Sequence, residues 1–266
     1  MAAKKRMPVV FFGHGSPTNV LENNVSTKTW ARIARDIIRK NGRPKAILCI
    51  SAHWCTNGVQ VTAMDEPRTI HDFGQGLPGD LFEMEYPAPG DPALAERIRD
   101  LLGPLPVKLD QDWGLDHATW AVLIKAFPKA DIPVLQLSMD MRKSSEWHYK
   151  LGQRLAQLRE EGVLIIGSGN VVHNLHQMDW SETAKPHTWA TRFNNLVKDC
   201  VIKDQPERLF DLDALGQDGA LSVPTLDHFW PLFYVLGARH PDDKVSFDPE
   251  FIQYKSLSML TIVLDS

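Results

Sequence analysis

Cysteine is scarce in this chain of 266 residues, which contains only Cys49, Cys55 and Cys200. The odd number and the absence of a paired cysteine motif exclude a disulfide framework and indicate a reduced, cytoplasmic environment. Cys55 lies close to a histidine, but no cationic neighbour in the sequence would activate its thiol as a nucleophile. We therefore expect Cys55 to be a small buried side chain.

Long apolar runs are also missing. A transmembrane helix needs about 18 apolar residues, and the best candidate, "FWPLFYVLGA", is roughly half that length. The apolar run after the basic N-terminal residues spans only about five residues before Gly13, which is too short for the core of a signal peptide. We therefore expect a cytoplasmic protein without a membrane partner.

Neither sign of charge dominates the sequence. It has 29 Lys and Arg against 33 Asp and Glu, a net charge of −4 and no basic block, which argues against a nucleic acid partner. Three common site motifs are absent as well. "GHGSPTN" lacks the lysine of a phosphate-binding loop, "GSGN" lacks the spacing of a dinucleotide-binding turn, and no serine occupies a G-x-S-x-G elbow.

Strand-like and helix-like segments alternate along the chain, which is typical of an α/β fold. "AILCIS" and "VLIIG" are continuous apolar runs, as expected for strands that helices cover on both faces. No linker separates two regimes of composition, so we predict a single domain over residues 1–266, with residues 1–7 as a flexible tail. The predicted strands are Val9–Phe12, Ala46–Ser51, Val59–Ala63, Val107–Leu109, Pro133–Leu137, Val163–Gly167 and Leu257–Val263.

Helix signals fill much of the sequence between these strands. Trp30 and Ile33 belong to an apolar series at helical spacing, and Asp91 followed by Pro92 marks a helix start. The stretch "SSEWHYKLGQRLAQLREEG" is predicted to form one helix that ends at Gly162.

Histidines follow three of the predicted strands directly or after a short turn. His14 follows "VVFF", His53 follows "AILCIS" and His173 follows "VLIIG". Ligands bind at the carboxyl ends of the strands in open α/β sheets, so imidazoles delivered to one edge can converge on one ligand. His117 and His228, each ahead of a predicted helix, are further candidates. A lone histidine after a strand is most often structural, but the joint placement favours a site.

Three imidazoles with an open coordination position suit a divalent cation that binds water or substrate. Iron(II) is also compatible, although two histidines and a carboxylate are its more usual ligand set. The histidine pattern therefore predicts a metal site and leaves the metal open between zinc and iron.

Seven segments, in this order along the chain, are similar to one known family. They are "FFGHGSPTNVLE", "ISAHWCTNG", "TIHDFGQGLP", "YPAPGDPALA", "WGLDHATWAVL", "GSGNVVHNL" and "TLDHFWPLFYVLGA". With them the sequence resembles the LigB-type class III extradiol ring-cleavage dioxygenases, and within these the 4,5-DOPA dioxygenase-like subgroup. The resemblance runs from about Pro8 to the end of the chain.

The resemblance implies a role for each of the five histidines. His14 in "GHGSP", His53 in "SAHW" and His228 in "LDHFWPL" correspond to the metal ligands. His173 in "GNVVHNL" corresponds to a catalytic acid/base that lies close to the metal and is sometimes counted as a fourth ligand. His117 in "LDHATW" corresponds to a histidine on the substrate or oxygen side. The implied fold is one domain with a central mixed sheet flanked by helices.

One position departs from the wider superfamily, which completes the metal site with a glutamate where this chain has His228. Three neutral ligands would leave the charge of a divalent metal uncompensated, which favours binding of a catecholate dianion. The resemblance implies one divalent metal per chain, with iron(II) expected for turnover. Zinc(II) is the alternative bound metal, and it cannot carry out one-electron oxygen chemistry.

The reaction that the resemblance implies is cleavage of a catechol ring next to its diol, with both atoms of O₂ entering the product. DOPA is the implied substrate, and caffeate, protocatechuate and other catechols stay open. Trp54, Phe73 and Trp230 are candidates for stacking on the ring, with a core role as an equal alternative. Arg68 and Arg192 are available to a substrate carboxylate. We expect a monomer or a loose homodimer.

Two other functions stay open on the sequence alone. A zinc-dependent hydrolase could use the same histidines, with His173 handling a metal-bound water. A non-catalytic metal-binding module is the second, since the related Memo-like proteins resemble the dioxygenases.

Overall fold

The computed structural model describes residues 6–181 and 183–266, which form ten strands and eight α-helices. The strands are β1 (Val9–Gly13), β2 (Ala46–Thr56), β3 (Val59–Thr62), β4 (Val107–Asp110), β5 (Val134–Asp140), β6 (Val163–Gly169), β7 (Lys244–Phe247), β8 (Ile252–Gln253), β9 (Leu257–Ser258) and β10 (Ile262–Asp265). The helices are α1 (Val25–Asn41), α2 (Pro92–Leu101), α3 (His117–Ala126), α4 (Ser145–Leu155), α5 (Gln157–Glu161), α6 (Thr188–Lys203), α7 (Gly216–Ser222) and α8 (Trp230–Gly237). None of these helices is long and apolar enough to cross a membrane.

Eight strands form one mixed sheet in the order β4-β3-β5-β2-β6-β1-β10-β7. Its centre, β5-β2-β6-β1, is parallel, whereas β10 pairs antiparallel with β1 and β3 pairs antiparallel with β5. The predicted α/β fold with a central mixed sheet is confirmed. Because strands from Val9 to Asp265 share this sheet, we propose that the chain folds as one domain.

Helices bury both faces of the sheet, and side chains of β1 alternate between the two cores. Val9 and Phe11 belong to the core that includes α2, α4, α6 and α8, and Val10 and Phe12 belong to the core that includes α1 and α3. All four side chains are at most 1% exposed. A continuous apolar strand is what two covered faces require.

Two predicted elements are each divided in the structure. The segment Leu257–Val263, predicted as one strand, forms β9 and the start of β10, because residues 259 and 261 donate their backbone N–H groups to carbonyls of the preceding loop. The predicted helix that ends at Gly162 is broken at Ala156, where α4 gives way to α5. The N–H of Ala156 bonds three residues back, to Gln153, which tightens the turn and redirects the chain.

Strand β7 and the ordered N-terminal segment were not predicted. Strand β7 lies at the sheet edge and alternates exposed and half-buried side chains, so it has no apolar run to mark it. Of the predicted flexible tail, residues 1–5 lie outside the described residues. For Arg6 and Met7 the prediction is wrong, because Met7 is 1% exposed and its backbone N–H and C=O both bond to Arg159.

Arg159 joins four parts of the chain from the buried helix α5. Its guanidinium donates to the carbonyls of Met7 and Ala238 at 2.7 Å and makes a two-bond pair with the carboxylate of Asp243 at 2.6 and 2.9 Å. Both partners of this ion pair are almost completely buried. A buried charge is tolerated only when it is paired and hydrogen-bonded, and this one is.

Replacing Arg159 with Met is therefore expected to lower the free energy of unfolding by about 3–5 kcal/mol, because the buried carboxylate of Asp243 would keep only Arg6, at 3.3 Å, as a charged partner. Denaturant unfolding monitored by circular dichroism measures the loss. Arg97→Met removes an exposed arginine that pairs with Glu161, and it is the matched control expected to change stability little. Equal effects of the two substitutions would contradict this role of Arg159.

Candidate metal centre

The site lies at the carboxyl ends of three neighbouring strands, β2, β6 and β1. His14 directly follows β1, and His53 lies in the last part of β2, beyond a register shift between Ile50 and Cys55. His228 comes from the turn before α8 and packs against the end of β6. The structure therefore brings these three predicted histidines together at one edge of the sheet.

Gly169 lets His228 approach β6. A Cβ at Gly169 would lie 2.3 Å from the carbonyl oxygen of His228, which is closer than any side chain allows. The next residue, Asn170, donates its backbone N–H to that same oxygen at 2.9 Å. A glycine at the end of this strand is therefore a requirement of the site, and not only of the turn.

The imidazoles of His14, His53 and His228 face one another. Their ring centroids are 5.7 Å (His14–His53), 5.4 Å (His14–His228) and 5.1 Å (His53–His228) apart. One ligating nitrogen of each ring lies within 4.8 Å of the other two. Three nitrogens at this spacing surround a space suited to a single cation.

The hydrogen bonds of His14 define which of its nitrogens is free. The hydroxyl of Ser168 donates to the carbonyl of Ala118 at 2.6 Å, so towards the imidazole it acts as an acceptor. Nδ1 of His14 lies 3.1 Å from that hydroxyl oxygen and therefore carries the proton. The lone pair of the neutral ring is left on Nε2, where a metal can use it.

His53 and His228 each contact a carboxylate in the same way. Nδ1 of His228 lies 2.5 Å from Oδ2 of Asp227, and Nδ1 of His53 lies 3.0 Å from Oδ2 of Asp72. Nε2 of His53 is buried and has no hydrogen-bond partner among the described residues. Ligand histidines in metal sites commonly direct their second N–H to a carboxylate, and an unsatisfied Nε2 is a position for a metal.

Protonation of the three rings follows their surroundings. Burial, followed by the charges of the neighbouring histidines, lowers the pKa of His14 well below its usual value. Burial also lowers the pKa of His228, and Asp227 only partly opposes this. Burial lowers the pKa of His53 too, but Asp72 more than offsets it, so that pKa is raised. A metal needs neutral imidazoles, and a bound cation itself opposes protonation.

His117 and His173 flank this three-histidine set. The first residue of α3 is His117, whose ring lies 4.0 Å from that of His53 between centroids. The ring of His173 stacks on that of His228 at 3.6 Å, with planes 5° apart. Among the described residues, His173 does not belong to a group of three ligand atoms within 4.8 Å of one another. All five predicted histidines therefore lie together. Three surround the central space, and His117 and His173 lie beside these three.

The five histidines line a cavity of about 330 Å³ that opens to the surface. This volume is at the lower end of the range for small-molecule sites. Asp72 is its one acidic side chain, and the described residues that line it include no lysine or arginine. Its apolar lining consists of Phe73, Leu77, Leu175, Met178, Trp180 and Leu257.

Of the three aromatic candidates for the wall, only Phe73 lines the cavity. Trp54 and Trp230 instead take the alternative core role, because Trp54 stacks on Trp113 at 5.7 Å and Trp230 packs on His148 at 4.7 Å, and neither lines the cavity. The sequence instead missed Trp180, whose side chain is 67% exposed at the cavity.

Neither arginine proposed for a substrate carboxylate reaches the cavity. Arg68 donates to the backbone carbonyls of residues 112 and 113, and Arg192 pairs with Asp218. Cys55 is half-buried and not fully buried as predicted, but burial raises the pKa of its thiol to about 12, which disfavours a thiolate nucleophile at neutral pH.

Asp72 and Asp227 change the expected electrostatics. The three proposed ligands are neutral, but two of them contact carboxylates whose pKa values are held well below the usual range. In each case burial raises the pKa, and contact with histidine, His117 and His53 for Asp72 and His228 for Asp227, lowers it further than burial raises it. The expectation of an uncompensated metal charge is therefore wrong. The set of donors fits a divalent metal, with the compensating charge one shell away.

Comparison with known proteins agrees with this geometry. The family described as the catalytic LigB subunit of aromatic ring-opening dioxygenase matches residues 8–264. The chain belongs to the LigB family. The match begins before β1, reaches into β10 and covers every histidine of the site, and it confirms the resemblance that the sequence motifs indicated.

Relatives cover nearly the whole chain. A protein of Escherichia coli K12 named 4,5-DOPA dioxygenase extradiol is 48% identical over 260 residues, 97% of this chain and 94% of that protein. A protein of the same name from Beta vulgaris is 37% identical, over 92% of this chain and 94% of its own length. The crystal structure of an uncharacterized protein from Escherichia coli K12 superposes with a TM-score of 0.83 at 44% identity, covering 97% of this chain and 99% of that one.

Replacing His14, His53 or His228 with Ala is expected to weaken binding of a divalent metal by more than about tenfold, because each change removes one of three converging nitrogens. Metal content after dialysis, measured by inductively coupled plasma mass spectrometry, tests this. His240→Ala removes an exposed histidine that pairs with Asp242 and is the matched control. Full metal content in all three variants would contradict the assignment.

Proposed function

We propose that this LigB-family protein is a non-haem, metal-dependent extradiol dioxygenase that uses O₂ to cleave a catechol ring next to its diol. The observation that carries the proposal is the meeting of five histidines in one cavity, three around a metal-sized space and two beside it. The family match and the names of the relatives support the same reaction.

We assign His14, His53 and His228 as the ligands that would hold the metal, one ion per chain. Iron(II) supplies, when bound, the one-electron chemistry that lets a singlet catechol react with O₂. Zinc(II) fits the same three nitrogens but has no redox chemistry, so we expect a zinc-bound form to be inactive.

His173 is the proposed acid/base. Burial, followed by the charge of His228, lowers the pKa of His173 to about 3, so the ring is neutral at pH 7 and one of its nitrogens carries a free lone pair. Its backbone is fixed by an N–H bond to Ser222 and by a β-bridge to Leu257. This side chain can take a proton from a catechol hydroxyl and return it after ring cleavage.

His117 is the proposed second catalytic histidine. Burial lowers its pKa, and Asp72 opposes this only in part, so the ring is neutral. Nδ1 of His117 lies 3.0 Å from Asp72, which leaves Nε2 to accept a hydrogen bond from the diol. Phe73 packs edge-on against the ring of His117 at 5.5 Å and excludes water from that side.

The cavity suits a substrate with a catechol ring and no net negative side chain. No lysine or arginine among the described lining residues offers a counter-charge to a carboxylate, and the apolar side chains offer contact to a ring and a short chain. DOPA, whose ammonium and carboxylate charges cancel, meets this condition better than protocatechuate. The relatives named 4,5-DOPA dioxygenase extradiol support this choice.

Neither alternative function is favoured. A zinc hydrolase or a non-catalytic metal-binding module would leave unexplained why one bacterial and three plant relatives, each matching most of this chain, are named as dioxygenases. The cavity also offers two histidines beside the metal space, more than a purely binding role requires.

The His173→Ala variant tests the proposed mechanism. We expect it to keep its metal and to lose ring cleavage, with kcat lowered by roughly 10²–10⁴-fold, because the acid/base is removed and the three ligands are not. Absorbance of the ring-opened product from DOPA, together with metal content, measures both effects. The control is His240→Ala, which removes an exposed histidine that pairs with Asp242 and does not line the cavity. Wild-type kcat in the His173 variant would refute the role.

A further inference from the structure

Asp72 is the one residue that contacts both a proposed metal ligand and a proposed catalytic histidine. We infer that Asp72 is a positioning residue that fixes the tautomer and orientation of His53 and His117 together. The inference rests on the proposed function for what these histidines do, but its first readout is metal binding, which does not depend on the reaction.

The two oxygens of Asp72 have separate tasks. Oδ1 accepts a hydrogen bond from the backbone N–H of His117 at 2.8 Å and lies 3.0 Å from Nδ1 of the same residue. Oδ2 lies 3.0 Å from Nδ1 of His53, and both Nδ1 contacts of Asp72 are close ion-pair contacts, since neither Oδ2 nor Nδ1 of His117 forms a hydrogen bond of regular geometry among the described residues. The side chain is 16% exposed, so water competes little for these oxygens.

An ionised carboxylate can only accept hydrogen bonds. Facing it, His53 and His117 are each most stable with the proton on Nδ1, which places the lone pair on Nε2. For His53 that is the nitrogen left without a partner, on the side of the proposed metal. One carboxylate thus gives both rings the tautomer that their proposed roles need.

The position of Asp72 is set by a framework that does not include the histidine rings. Just before it, the N–H of Ile70 donates to the carbonyl of Leu115 at 2.7 Å, and the indole of Trp120 donates to the carbonyl of Ile70 at 2.8 Å. The loop is therefore tied to the start of α3, and Asp72 is presented to the rings from a fixed backbone.

Helix capping does not account for Asp72. The N-cap of α3 is Asp116, whose side chain already accepts from the N–H of Thr119. The contact of Asp72 with the backbone of His117 adds to an existing cap, whereas no other described side chain lies at hydrogen-bonding distance from Nδ1 of His53. The observations thus favour a role in the site over a role in the helix.

Asp72→Asn and Asp72→Ala separate this role from a structural one. In the Asn variant, the amide oxygen is expected to keep the bond to the backbone of His117, which leaves the NH₂ group facing Nδ1 of His53. A donor there favours the tautomer with the proton on Nε2 of His53, which blocks the metal. In the Ala variant His53 loses its acceptor, but no donor opposes the required tautomer.

We therefore expect zinc affinity, measured by chelator competition, to fall about 10–100-fold in the Asn variant and less in the Ala variant. A structural role predicts the reverse order, because Ala removes more contacts than Asn. With iron(II) at saturation, kcat for DOPA should fall in the Ala variant with KM little changed, since His117 loses the group that orients it. Asp80→Asn, an exposed aspartate on the same loop, is the matched control.

Thermal unfolding of the metal-free proteins shows whether each variant folds, and the Asn variant, which keeps the shape of the side chain, decides the case if the Ala variant does not. Wild-type zinc affinity in a folded Asn variant would overturn the inference. An Ala variant that binds zinc as weakly as or more weakly than the Asn variant would also overturn it, since Asp72 would then be a ligand or a structural residue. If the wild-type protein cleaves no catechol but the Asn variant still binds zinc weakly, the positioning role stands and the proposed function fails.

Discussion

The site depends on how the Nδ1–H group of each ligand histidine is engaged by an oxygen. A neutral imidazole has one N–H and one lone pair, and fixing the first fixes the second. Nδ1 of His14 contacts the hydroxyl oxygen of Ser168, and the Nδ1 atoms of His53 and His228 contact the carboxylates of Asp72 and Asp227. These three oxygens come from different parts of the chain, so the geometry of the centre depends on how the whole fold packs around it. The carboxylates of Asp72 and Asp227 also place negative charge behind the proposed ligands, so a metal held there would keep coordination positions open for a substrate and O₂.

The sheet makes this arrangement possible. Strands β2, β6 and β1 are neighbours and parallel, so their carboxyl ends deliver His14 and His53 to one place and leave the end of β6 free to receive His228. Both faces of these strands are buried under helices, so the histidines project from a backbone with little freedom to move. The long loop between β3 and α2 completes the site by supplying Asp72 and the cavity wall at Phe73.

Sequence reasoning could place His14 and His53 because their signal is local, a histidine at the end of a strand. The family resemblance, and not a strand end, marked His228 as the third proposed ligand. Sequence reasoning could not find the partners of those ligands. Asp72 is remote in sequence from His53, and only the path of the loop brings them together. Asp227 adjoins His228 in the sequence, and that signal was available. The direction of its side chain, however, is not known until the conformation of the turn is known. The direction of the tryptophan side chains could not be predicted for the same reason. Trp54 and Trp230 lie close to site histidines in sequence but point into the core. The segment Leu257–Val263 is likewise divided between two strands by backbone hydrogen bonds to the preceding loop. The spacing of apolar residues gives no sign of these bonds.

The central claim is that these histidines hold a redox-active metal that brings a catechol and O₂ together. The most direct test is O₂ uptake by protein stripped of metal and reloaded without air, with iron(II) in one sample and zinc(II) in the other, in the presence of DOPA. The account predicts that the iron(II) protein consumes O₂ and DOPA in equal amounts and forms a ring-opened product, and that the zinc(II) protein consumes neither. An iron(II)-loaded protein that leaves catechols intact, or a zinc(II) form that is the active catalyst without O₂ uptake, would contradict it.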